Sequence, residues 1–126
     1  MSAASPPGRP SRVLVVEDEA LVAMGIEDAL ASLGVGMVGP AASVDKALDL
    51  VAAGGFDGVL LDVNLRGESV EPVADALAAS GTPFVFVTGH GPEGLPEAHR
   101  NRPTLAKPFR DADLADAVRR HLAAAP

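Results

Sequence analysis

The stretch Val13-Leu14-Val15-Val16-Glu17-Asp18-Glu19 decides the fold. Four apolar residues in a row, with no polar alternation, make a strand buried on both faces, as found inside a parallel sheet. The acids end it abruptly. Behind them, Ala20 to Leu33 carries Val22, Ile26, Ala29, Leu30 and Leu33 on one helical stripe, and Gly34 stops the helix. A buried strand, an acidic turn and an amphipathic helix form the repeating unit of an α/β sandwich.

The unit recurs along the chain. Val35 to Val38 reads as a second strand, followed by a helix capped by Ser43 with Val44, Ala47, Leu48 and Val51 inward. Gly58-Val59-Leu60-Leu61 is a third strand. A helix from about Val70 to Ser80 then buries Val70, Val73, Ala74 and Leu77, with Pro72 in its first turn. Phe84-Val85-Phe86-Val87 is the fourth strand. Gly89 to Arg102 holds Gly91, Pro92, Gly94 and Pro96, so a fourth helix there is expected to be short or partial. Thr104-Leu105-Ala106 is a brief fifth strand, and Asp111 or Asp113 opens a last helix with Leu114, Val118 and Leu122 inward. Its first-turn acids and last-turn Arg119 and Arg120 suit the helix dipole. The expected architecture is α/β: a three-layer sandwich around a five-stranded parallel sheet.

Composition sets the outer limits. At 126 residues the chain fits one globular domain. With 10 Lys and Arg against 17 Asp and Glu, and no basic block, direct DNA binding is not expected. Absence of Cys excludes disulfides and thiolate metal sites. No apolar run is long enough to span a bilayer, and Met1 to Pro10 lacks the apolar core of a signal peptide. A cytoplasmic protein without membrane contact is the expectation. Residues 1–10, rich in Pro, Gly and Ser, read as a disordered tail, and 11–126 as the folded domain.

In an open parallel sheet, functional groups gather beyond the carboxyl ends of the strands. Glu17 and Asp18 follow strand one, Asp62 strand three, Thr88 strand four and Lys107 strand five. With strand order 2-1-3-4-5 they converge at one rim. Clustered carboxylates repel and recruit a cation, and a hard ion such as Mg²⁺ suits oxygen ligands. Taken singly each residue has a plainer role: Glu17 and Asp18 as helix caps, Asp62 and Thr88 as turn residues, Lys107 as a solvated surface lysine. The joint occurrence carries the weight. His90, His99 and His121 lack metal-ligand spacing and read as surface residues.

With Val16-Glu17-Asp18-Glu19, Leu60-Leu61-Asp62-Val63-Asn64-Leu65, Val87-Thr88-Gly89 and Lys107-Pro108-Phe109 in this order, the chain resembles the receiver domain of bacterial two-component response regulators from about Arg12 to Leu122. The resemblance implies a flavodoxin-like, CheY-like fold and a signalling domain rather than an enzyme. It implies that Asp62 accepts a phosphoryl group from a sensor histidine kinase. Asp18 and Asp62 would hold Mg²⁺ by side chain, Asn64 by its backbone carbonyl and Glu17 through a water. Thr88 and Lys107 would contact the phosphoryl oxygens, and a cis peptide is expected before Pro108.

The departures from the family pattern are specific. The acidic pair is Glu-Asp rather than Asp-Asp. Arg66 stands four residues after Asp62, where the family usually has proline. Thr104 replaces the strand-five aromatic that swings on phosphorylation. With Phe86-Val87-Thr88-Gly89-His90, these look like an atypical, mostly stand-alone subgroup with a Phe-Ala-Thr-Gly-Tyr/Gly signature, often paired with HWE-type histidine kinases. Thr104 and His90 become modulatory positions, His90 through the lifetime of the phosphorylated form. The downstream partner is an unspecified protein, and the expected state is a monomer or weak dimer. The alternatives are an unphosphorylated pseudo-receiver that binds proteins, and a Mg²⁺-dependent phosphohydrolase, which would carry Asp-x-Asp after strand one.

Overall fold

A computed structural model describes residues 10–89 and 94–122. The elements are β1 (Arg12–Val16), α1 (Ala20–Ser32), β2 (Gly36–Ala41), α2 (Val44–Ala53), β3 (Gly58–Asp62), β4 (Asn64–Leu65), β5 (Glu68–Ser69), α3 (Glu71–Ser80), β6 (Phe84–Thr88), a 3-10 turn (Glu97–His99), β7 (Thr104–Ala106) and α4 (Asp111–His121). Five strands form one parallel sheet in the order β2-β1-β3-β6-β7, which is the expected 2-1-3-4-5.

Strand alternation divides the core in two. Val13 and Val15 of β1, Leu60 of β3 and Val85 and Val87 of β6 pack toward Ile26 and Leu30 of α1 and Leu114 and Val118 of α4. Their neighbours Leu14, Val16, Val59, Leu61, Phe84 and Phe86 face the opposite way, onto Ala47 of α2 and Val73, Ala74 and Leu77 of α3. Because successive strand side chains point to opposite faces, only an unbroken apolar run can fill both layers. That is why Val13 to Val16 contains no polar residue.

The caps follow their chemistry. Ser43 accepts a hydrogen bond from the Lys46 N–H at the start of α2. Gly81, with φ 71°, ends α3 in the left-handed conformation that favours glycine. At α4 the side chain of Asp113 reaches back to the Arg110 N–H, so Asp111 opens the helix and Asp113 braces it.

Several expectations change. The second strand runs from Gly36 to Ala41, beyond Val38, and crosses Pro40. As an edge strand β2 tolerates a residue without an N–H, and the register shifts beside it between Leu14 and Val16. Between Asp62 and α3 the chain forms a hairpin that the sequence reading left out. Between β6 and β7 the short or partial helix expected there is, among the described residues, 3-10 structure at Gly94 and Glu97–His99 rather than an α-helix. His99 is buried, not a surface residue, and its Nε2 lies 2.7 Å from Asp75 Oδ1 on α3. The tail expected at residues 1–10 falls, apart from Pro10, outside the described residues, as does His90. Among the described residues no helix is long and apolar enough to cross a membrane.

Candidate functional site

Parallel pairing brings the carboxyl ends of β1, β3, β6 and β7 to one edge, and each contributes its next residues to a common site. Asp62 is the last residue of β3 and Thr88 the last of β6, and both are buried. Glu17 and Asp18 leave β1, and the Glu17 N–H is tied to the Ala41 carbonyl of β2. Lys107 leaves β7, its N–H bonded to the Thr88 carbonyl, and the peptide to Pro108 is cis, as the resemblance implied.

Lys107 is the hub. Its ammonium lies 3.0 Å from Glu17 Oε1, 3.3 Å from Asp62 Oδ2 and 3.9 Å from Glu19 Oε1. Glu17 Oε2 accepts the Glu19 N–H, whereas buried Oε1 has the ionic contact with Lys107 but no well-aligned hydrogen bond among the described residues. Asp62 Oδ1 accepts the Asn64 N–H at 3.2 Å, and Asp18 Oδ2 accepts the Arg66 N–H at 3.0 Å. Above these groups opens a cavity of about 400 Å³ whose lining includes Asp18, Asp62, Asn64, Arg66, Thr88 and Lys107.

Burial dominates the electrostatics of Glu17. It pushes the carboxyl up to about 7, against Lys107 and the Glu19 N–H, with the Asp62 charge adding to the rise. Burial also works against the charge on Lys107, yet Glu17 and Asp62 together hold its ammonium above the ordinary value.

Glu17, Asp18 and Asp62 each offer a carboxylate oxygen, all within 4.8 Å of one another. Three hard oxygen donors, one on a carboxylate with an incompletely satisfied buried oxygen, fit a small divalent cation better than a soft one. Of the residues anticipated from sequence, Glu17, Asp18, Asp62, Asn64, Thr88 and Lys107 converge here. Thr104 lies elsewhere, exposed on β7 and paired in register with Phe86. In sequence Arg66 is marked only by the absence of a proline, and its hydrogen bond to Asp18 depends on the hairpin. The signal was there in Asn64 and Gly67, two turn formers three residues apart.

A strand order of 2-1-3-4-5 with these acids, a threonine and a lysine at the strand ends defines a phosphoryl-signalling module. The family model for the response regulator receiver domain matches residues 13–119, and the chain belongs to this family. It is similar to SdrG from Sphingomonas melonis, with 47% identity, a TM-score of 0.77, and coverage of 86% of this chain and 92% of that one. The BeF3-activated conformation of SdrG matches at 45% identity and a TM-score of 0.74, over 87% and 94% of the two chains. Among curated proteins, the transcriptional regulatory protein PdtaR of Mycobacterium tuberculosis is 31% identical over 113 residues, 86% of this chain and 55% of the relative. The phyllosphere-induced regulator PhyR of Methylorubrum extorquens is 29% identical, over 86% and 42%. The chain thus spans about half the length of the curated relatives it matches. As a receiver domain it is a signalling module of two-component systems, not a classical enzyme, and Glu17, Asp18 and Asp62 form the acidic triad typical of a receiver Mg²⁺ site.

Proposed function

We propose that this chain is a response regulator receiver that takes a phosphoryl group on Asp62 from a histidine kinase and signals through protein contacts. The observation that carries this reading is the Lys107 ammonium 3.3 Å from the Asp62 carboxylate, at the base of a cavity also lined by Asp18 and Thr88. An oxygen of Asp62 attacks phosphorus, the bond from phosphorus to the donor imidazole breaks, and the imidazole nitrogen keeps the electron pair. The product is an acyl phosphate. Asp18 and Asp62 by side chain, Asn64 by its carbonyl and Glu17 through a water would hold Mg²⁺, which supplies charge neutralisation for phosphoryl oxygens. Lys107 pairs with one phosphoryl oxygen and the Thr88 hydroxyl donates to another. The likeness to a protein with a BeF3-activated conformation supports the reading, because BeF3 resembles a phosphoryl group in shape and charge.

The donor has a face to dock on. Beside Lys107, an apolar groove of about 430 Å³ runs between α1 and the Pro108-Phe109 turn, and Leu21 and Met24 of α1 stand 83% and 59% exposed. An apolar surface next to a phosphoacceptor suits a helical partner that carries its histidine on one face. His90 keeps its expected role in the lifetime of the phosphorylated form, and Thr104 its role as the position that lacks a switching ring.

Incubation with acetyl phosphate and Mg²⁺, followed by mass spectrometry, tests the core of the reading. Wild type is expected to gain one phosphoryl group and Asp62→Asn none. Equal labelling of the two would place the phosphate elsewhere.

A further inference from the structure

The hairpin between Asp62 and α3 has a specific geometry. Asn64 pairs with Ser69 and Leu65 with Glu68, leaving Arg66 and Gly67 as a two-residue turn with φ of 54° and 82°. Positive φ at both central residues is the type I′ turn, whose twist matches the flanking strands. Arg66 is the single non-glycine residue with positive φ among those described. The N–H groups of such a turn point outward and need partners. Gly67 donates to Asn64 Oδ1 at 2.8 Å, which closes the turn, and Arg66 donates to Asp18 Oδ2, 48 residues away in sequence.

A proline at position 66 fails on both counts, since it has no N–H and its φ is fixed near −65°. The residue usual at this point in the family therefore could not make this contact. Arg66 itself is exposed, and no hydrogen bond or ion pair of its guanidinium is needed for the contact, which is made wholly by the main chain.

We propose that Arg66 is a positioning residue of the cation site, acting through its left-handed main chain and N–H. This rests on the reading that Mg²⁺ binds between Asp18 and Asp62. The bond to Oδ2 fixes the plane of the Asp18 carboxylate. The same hairpin begins at Asn64, whose N–H holds Asp62 Oδ1. One small element thus orients two carboxylates of the triad before any cation arrives. Outer contacts of this kind orient the ligands and tune metal affinity, and their loss typically costs about 10- to 100-fold.

The test titrates MgCl2 alone into ¹⁵N-labelled wild type, Arg66→Gly and Arg66→Pro, with metal-free thermal unfolding alongside. Arg66→Gly keeps the N–H and suits positive φ, so it is expected to bind Mg²⁺ within about twofold of wild type. Arg66→Pro is expected to bind about 10- to 100-fold more weakly. In wild type the Arg66 amide is expected to exchange slowly with solvent and to shift on titration with the same midpoint as Asp62. That measurement decides the matter even where Arg66→Pro does not fold. Unchanged binding by Arg66→Pro, or an Arg66 amide that exchanges like open loop and ignores Mg²⁺, overturns the proposal. So does a loss in Arg66→Gly equal to that in Arg66→Pro, because it would assign the effect to the side chain. Wild type that binds no Mg²⁺ overturns the metal reading itself, and the positioning role with it.

Discussion

Moving the Glu17 carboxylate from water to a site only 2% exposed carries a desolvation cost of several kcal/mol. The Lys107 ammonium 3.0 Å away offsets only part of it, so the group ionises near 7 rather than at its ordinary 4.5. The folded state therefore holds this proton over a range where the unfolded chain has released it. The associated stability is fully present below about 4.5, is lost as pH rises toward 7 and changes no further above that. Glu17→Gln removes the titration. In metal-free urea denaturation, the stability of the variant relative to wild type is expected to grow by on the order of 2 kcal/mol between pH 5 and pH 8. Added MgCl2 should shrink that growth, because a cation favours the ionised carboxylate. A constant difference across the range would show that Glu17 is charged throughout. The convergence of Glu17, Asp18, Asp62, Thr88 and Lys107 was legible from sequence, because a parallel sheet delivers its strand ends to one edge. The depth of Glu17 was not, because one carboxylate reads like another until its burial is known.

At the scale of elements, the described part of the connection from β6 to β7 carries the 3-10 turn Glu97–His99 and is anchored by side chains. Leu95 is buried in the core layer of α2 and α3, and His99 lies against Phe84 and Phe86, with ring centroids 6.0 and 6.3 Å away. Arg102 stacks its guanidinium over Phe84 at 4.7 Å. His99 also meets Asp75 of α3, whose side chain is 62% exposed. The two halves of this clamp differ in weight. A buried ring truncated to Ala leaves a void beside two aromatics, whereas an exposed carboxylate exchanges its partner for water. His99→Ala is expected to cost about 2–3 kcal/mol by chemical denaturation, and Asp75→Ala less than about 1 kcal/mol. Equal losses would move the clamp's strength to the contact between His99 and Asp75. The long apolar runs and helical stripes of this fold were readable because their periods repeat over many residues. The β4–β5 hairpin was not, since two-residue strands have no period. The length of β2 was hidden by Pro40, which usually marks a strand's end but is tolerated at a sheet's edge, and burial of His99 depends on a tertiary contact with α3.

At the scale of the whole molecule, the two layers have different outward tasks. The α3 side carries the clamp, while the α1 side leaves a groove at Phe109 open beside Lys107, with Leu21 in its lining and exposed Met24 one helical turn further along α1. In an acidic chain of net charge −7, two large apolar side chains on one helix next to the phosphoacceptor favour a partner contact over a purely structural role. A small phosphodonor needs only the cavity, whereas a protein donor needs the face as well. Met24→Glu places a charge on exposed α1 one turn from the groove residue Leu21 and changes no residue that lines the acid cavity. With an HWE-type kinase that phosphorylates wild type, the transfer rate to Met24→Glu is expected to fall about tenfold or more, the loss of one interface anchor. Labelling by acetyl phosphate should keep its wild-type rate. A parallel fall in both rates would mean that the substitution had disturbed the acid site. An unchanged rate from the kinase would mean that the donor approaches Asp62 from another side, across the β4–β5 hairpin or the end of β6.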